Sequence, residues 1–209
     1  MAGNFSIPIQ PVSTVLGNQW RQQRIIEEAS QTFAAGVPVM ITVADGGLTL
    51  WNGTSITTII AGISYEPASN LGTTGASAPT PLSPFSGVGA VSGTFGTVPN
   101  QSSAKNIAHG APLNDGRCGF TIGGPDVIFS AAFGSNNVAT TPAATDVTVQ
   151  YGLTKDGTNT YWYVDKNKTG GSAVLTVIGL DPRDTPAAGT RVLFTFLPAS
   201  LMNLGADAF

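Results

Sequence analysis

The sequence predicts an all-β protein: an antiparallel sandwich or barrel built from two meanders, with an extended N-terminal arm, one short helix and a long low-complexity loop. Three observations predict it. Short apolar runs rich in β-branched and aromatic residues recur at intervals of about 8–12 residues, with turn chemistry between them. Glycine (26) and proline (14) punctuate the chain throughout its 209 residues. Only one stretch, Asn18 to Gln31, carries an apolar stripe at helical spacing. The chain therefore divides into residues 1–31, the arm and its helix, and residues 32–209, a β-rich body with a loop at 67–105.

The arm reads Asn-Phe-Ser-Ile-Pro-Ile-Gln from Asn4. Phe5, Ile7 and Ile9 fall on one face of an extended segment, and Pro8 restricts it to an edge strand or a docked arm. Such an arm is suited to adding itself to a neighbour's sheet. In the helix candidate, Asn18 stands at the N-cap and Ile25, Ile26 and Ala29 share a stripe with Phe33. Arg21 and Arg24, however, sit at the end where a helix dipole favours negative charge. The first meander follows. Val37–Val43 is a strand, Asp45-Gly46-Gly47 a turn, Leu48–Trp51 a second strand, Asn52-Gly53 a type I′ hairpin signal and Ile56–Ile63 a third strand.

From Pro67 to about Asn100 the composition shifts to Ala, Ser, Thr, Gly and Pro. A connection of that length is unusual inside a compact domain. Short strands are expected within it near Val88–Val91 and Thr94–Val98. Beyond it come a turn at Asn114-Asp115-Gly116 and apolar stretches at Phe120–Ile122 and Val127–Phe133. The second meander is the clearest part. Val147, Val149 and Tyr151 alternate with polar residues, Tyr161–Val164 returns, Ala173–Ile178 follows, and Arg191–Leu197 closes. In that last strand Val192, Phe194 and Phe196 face one way and Leu193 and Leu197 the other, so both faces call for cover.

Composition also narrows function. Charged residues make up 10% of the chain and the formal net charge is −3, with no basic cluster. This argues against a nucleic-acid surface. A surface rich in Thr, Ser, Ala and Gly offers little repulsion between copies and favours life in an assembly. No run approaches the length of a membrane span. The start Met1-Ala-Gly-Asn-Phe-Ser lacks both the basic and the apolar region of a signal peptide, so synthesis in the cytoplasm is expected.

The residues that could carry chemistry form no recognisable set. His109 is the only histidine and no Gly-x-Ser-x-Gly elbow accompanies it. Cys118, the only cysteine, reads as a small buried apolar residue. Asp165 to Gly171 supplies oxygens at positions 1, 3 and 5 of a calcium-type loop, but Thr176 stands where a bidentate Glu is needed. Asp126, Asp146, Asp156, Asp165, Asp181 and Asp184 are scattered, and nothing selects a glycosidase pair among them. Tyr161, Trp162 and Tyr163 read first as core, then as a subunit interface, then as a sugar platform. No catalytic residue, metal or cofactor is expected.

Four strings do carry a resemblance: Ala35-Gly36-Val37-Pro38-Val39-Met40, Asp45-Gly46-Gly47-Leu48, Trp51-Asn52-Gly53-Thr54 and Ile60-Ala61-Gly62-Ile63. Together they resemble the core of tailed-bacteriophage head decoration, or capsid cement, proteins. The resemblance implies a small tulip-like β body without catalysis. Such proteins bind the outside of the expanded head, often as trimers, and brace it against genome pressure. It further implies the major capsid protein and other copies of the chain as partners, in a homotrimer, and the outer virion surface as location. On that reading Phe5, Ile7 and Ile9 dock onto capsid protein with Trp20 nearby. An alternative from a different class is a tail or baseplate adhesin module that binds host glycan through the Tyr161–Tyr163 strand or the long loop.

Overall fold

In the computed structural model the described residues are 5, 7–17, 19–28, 31–42, 47–53, 59–68, 117–157 and 161–202. They form twelve strands, β1 (Gln10–Thr14), β2 (Gln22–Ile26), β3 (Pro38–Ile41), β4 (Leu48–Leu50), β5 (Gly62–Ser64), β6 (Arg117–Ile122), β7 (Val127–Ser135), β8 (Val138–Ala139), β9 (Gln150–Lys155), β10 (Trp162–Asp165), β11 (Leu175–Leu180) and β12 (Arg191–Phe196). Only single turns of 3₁₀ helix interrupt them, at 144–146, 170–172 and 198–200. The all-β expectation holds.

The strands close into two circuits. In the first the order is β2-β6-β5-β3-β4. It closes where Glu27, just past β2, bridges Leu48 of β4 in parallel and the Glu28 amide donates to the Leu48 carbonyl at 2.9 Å. In the second, β7 pairs β12, β12 pairs β11, β11 pairs β9, β9 pairs β10, and β10 returns to β7 in parallel.

These circuits have the same topology and the same register. The pair Ile25↔Cys118 corresponds to Ala131↔Val192, Ile63↔Thr121 to Thr176↔Thr195, Val39↔Gly62 to Tyr151↔Leu175, and Ile41↔Leu48 to Leu153↔Val164. The parallel closure Glu27↔Leu48 corresponds to Phe133↔Val164. The chain is therefore one five-stranded barrel built twice, with β1 and β8 added to β7 of the second copy.

This arrangement corrects several expectations. Gln22–Ile26, expected as helix, is strand β2, because it supplies the wall between β6 and the closing bridge to β4. Neither half is a simple meander. After each hairpin (β3–β4, β9–β10) the next strand crosses to the other side of the hairpin's first strand. Nor is the sheet wholly antiparallel, since a closed circuit of five strands needs one parallel pair, here β10 with β7. Gly53 has the positive φ (+72°) that the Asn-Gly signal anticipates, but no hairpin joins β4 to β5, which pairs β3 instead. The 67–105 loop beyond Ala68, its two expected strands, the 114–116 turn and His109 lie outside the described residues.

One apolar cluster runs through both barrels, from Val37, Val39, Leu48 and Phe120 in the first to Phe129, Leu153, Val192, Phe194 and Phe196 in the second. Trp51 and Trp162 join them, with ring centroids 5.2 Å apart. Gly62 is required by close approach: a Cβ there would lie 1.9 Å from the Thr121 carbonyl oxygen of the neighbouring strand.

Candidate functional site

The arm folds back onto its own body. β1 adds antiparallel to the outer edge of β7, with Gln10 opposite Ser130 and Thr14 opposite Val127. This satisfies peptide groups that a bare edge would leave open. Ahead of it, Phe5 is 2% exposed and forms a satellite cluster with Ala132 and Tyr163. Its ring stacks on Tyr163 at 4.0 Å and 10°. The Phe5 amide donates to Asp156 Oδ2 at 3.1 Å. Gly134 is needed beneath the ring, where a Cβ would lie 2.4 Å from Phe5 Cζ. Ile9 joins the main core, and its amide donates to the Gly36 carbonyl at 3.0 Å. Ile7 is half-buried. Phe5 and Ile9 thus do not present a docking face. They belong to the chain's own core, because β7 offers the nearest open edge and the satellite pocket the nearest apolar cover.

Trp20 is placed differently. It is half-buried and lines a groove of about 820 Å³ together with Arg21, Ile122, Pro125, Asp126 and Leu201. This groove lies where the barrels meet, between the lead-in to β2 and the link from β6 to β7. Beside it the turn after β1 exposes Val15 (62%) and Leu16 (75%), and the Val15 amide donates to the Asp126 carbonyl at 2.8 Å. The sequence reading singled out Trp20 but missed the groove, whose walls come from segments far apart in the chain.

The buried carboxylates act as internal struts. Asp165 accepts from the Thr154 hydroxyl (2.7 Å) and the Asn136 and Asn167 amides. Lys168, in the same loop, donates to the Leu153 carbonyl at 2.9 Å. Asp146 lies below the usual carboxylate range. Burial pushes it up, but hydrogen bonds from Lys166 (2.9 Å), the Ala143 amide and the Tyr151 hydroxyl outweigh burial. Burial, with Asp146 beside it, raises the Tyr151 phenol to about 12. Asp181 is held lower still, first by the Arg183 guanidinium and then, against burial, by Ser130 and the Arg183 amide. Arg191 clamps Asp184 through two bonds of 2.9 and 2.6 Å.

A carboxylate so occupied is neither a free base nor a free nucleophile. Burial, foremost, raises the Cys118 thiol to about 12, which makes it a poor nucleophile. No group of three His, Cys, Asp or Glu able to hold a metal occurs among the described residues. Trp162 and Tyr163 are buried and Tyr161 is half-buried, so that strand is core. No helix of the described residues is long and apolar enough to cross a membrane. No protein-family model, curated protein or solved structure matches the chain.

Proposed function

We propose that the chain is a structural protein of a tailed-phage particle that decorates the outer surface of the expanded head, in trimers, and cements it against internal pressure. The observation that carries this reading is the placement of the described parts of three of the resembling strings. Pro38–Ile41, Leu48–Leu50 and Gly62–Ser64 become three adjacent strands of one closed circuit, so the resemblance falls on a folding unit rather than on scattered matches. Three further features support it. The buried carboxylates are engaged in internal hydrogen bonds, the surface carries little charge, and a groove of mixed polar and apolar lining with the exposed Val15 and Leu16 beside it offers a place for a neighbour. A protein that binds only the expanded lattice stabilises that state by mass action. The glycan-binding alternative loses one of its two contacts, because Trp162 and Tyr163 are buried, while the other, the long loop, lies beyond Ala68 outside the described residues.

The test is co-sedimentation of the purified chain with expanded and with unexpanded heads. Binding to expanded heads, and a higher disruption temperature for those heads, is the expected result. Equal indifference to both forms, with binding on a glycan array, would favour the adhesin.

A further inference from the structure

The turn that ends β1 carries unusual residues for a turn. The Gly17 amide donates to the Thr14 carbonyl at 3.1 Å, so Val15 and Leu16 occupy the two central positions of a β-turn. Those positions ordinarily hold Gly, Pro, Asn, Asp or Ser, each of which favours the turn itself. Val and Leu bring no such advantage. They are also the two most exposed of the large apolar side chains among the described residues, at 62% and 75%. The tip is held in place. The Val15 amide donates to the Asp126 carbonyl at 2.8 Å, and β1 behind it is laddered to β7.

Asp126 is also part of the groove's lining, so tip and groove adjoin. Trp20, Ile122, Leu201 and Met202 give that lining its apolar part, and Arg21 and Asp126 give it one charge of each sign. The tip therefore extends an apolar patch rather than standing alone, and such patches mark contacts. Both charges are exposed, and no ion pair joins them to each other or to any other described residue.

We infer that the Val15–Leu16 tip of one copy of the chain seats in the Trp20 groove of the next copy, with Arg21 of one facing Asp126 of the other. Three observations make a second copy the occupant. Tip and groove lie side by side on one chain, so each copy offers one and accepts one. A contact between two different patches repeats from copy to copy and closes into a ring when the rotation allows it. The groove carries both signs of charge, so a second copy can meet it with opposite charges and no like-charge conflict. And charged residues make up only 10% of the chain, so copies approach with little repulsion. Affinity comes from burying the tip, and the charge pair fixes orientation. That the ring holds three copies rests on the proposed head-decorating function; the contact itself does not.

The test is sedimentation equilibrium of the full-length chain over a concentration series. The wild type is expected to associate reversibly. The double variant Val15→Ser, Leu16→Asn puts favoured turn residues at the tip, so it keeps the fold. It should weaken association roughly tenfold or more, as the loss of buried apolar side chains requires. R21E and D126R each reverse one exposed charge, and each should weaken association about two- to fivefold. R21E and D126R together should restore it, because the pair is rebuilt with its signs exchanged. This charge series decides the matter alone if the tip variant misfolds. A wild type that stays a single chain at its highest soluble concentration would overturn the contact, and protection of the tip on heads would then assign it to shell protein. Association unchanged by the tip variant would overturn the role of Val15 and Leu16. Single reversals that weaken association without recovery in the double would overturn the pairing of Arg21 with Asp126. A chain that associates but does not sediment with heads would overturn the functional reading and leave the contact standing.

Discussion

Replacing Phe5 with alanine tests whether the arm is stapled by one ring. The side chain is 2% exposed and its burial contributes roughly 1.5–3 kcal/mol. The parallel stack on Tyr163 adds about 0.5–1.5 kcal/mol beyond area. The backbone bond from the Phe5 amide to Asp156 survives the change. The sum is about 2–4.5 kcal/mol, overlapping the lower part of the range for buried Phe→Ala. Because Phe5 belongs to a satellite cluster and not to the main core, the loss should appear as local undocking. Amide exchange of Gln10–Thr14 should therefore accelerate roughly 30- to 1,600-fold, at about 1.4 kcal/mol per tenfold. Strands β9 to β12 should keep their protection. Chemical denaturation should show a smaller global loss, capped by the free energy of docking the arm. Two results would refute the reasoning: acceleration below about threefold, or a loss of protection in β7 and β12 as large as that in β1.

Three other outcomes follow from the internal struts and close approaches. Asp181, Asp146 and Asp184 have carboxyls held below their unfolded values. The stability they contribute is complete above about pH 4 and is lost as pH falls through their folded values. Asp181→Asn should cost about 2–4 kcal/mol at neutral pH, below the full figure for a broken buried pair because Arg183 is half exposed, and it should flatten the acid limb of a urea-midpoint series. An acid limb identical to that of wild type would contradict this. Gly62→Ala should cost several kcal/mol or prevent folding, since its Cβ meets backbone that cannot swing away, and a melting point within about 3 °C of wild type would count against the placement of β5. Cys118, raised to about 12, should stay unmodified by an aromatic disulfide reagent at pH 8 in the native state and react fully in denaturant. Rapid native labelling would show that the site opens.

Particular residues explain what could be read beforehand. The strands of the second barrel were legible because Tyr151, Leu153, Trp162, Val164, Val192, Phe194 and Phe196 combine β propensity with alternation, and the structure buries every one of them. Residues 22–26 were not, because Gln, Arg and Ile have adequate helix propensity and the alternation that marks a half-buried strand is blurred by polar side chains. Closure of the first barrel overrides that propensity. The arginines at the wrong end of the supposed helix were the local sign. The duplication left a trace as well. Arg117, Phe120 and Thr121 in β6 recur as Arg191, Phe194 and Thr195 in β12, at equivalent register positions. The long low-complexity stretch then has a definite place, between β5 and β6, where the second barrel needs only the link from β11 to β12. The groove around Trp20 had no signal in the linear order, since its walls come from segments far apart in the chain.

The scarcity of charge takes on a sharper meaning once the barrels are seen. Of the twelve acidic residues, Glu27, Asp146, Asp156, Asp165 and Asp181 are buried. Burying an ion is costly unless hydrogen bonds replace its water, and the Asp165 and Asp181 networks do so with hydroxyls, amides and a guanidinium. The acids therefore hold turns and barrel seams in place, and the outer surface is less charged than the 10% composition suggests. One consequence follows: repulsion between neighbouring copies is weak, so dense packing on a common support would meet little electrostatic resistance.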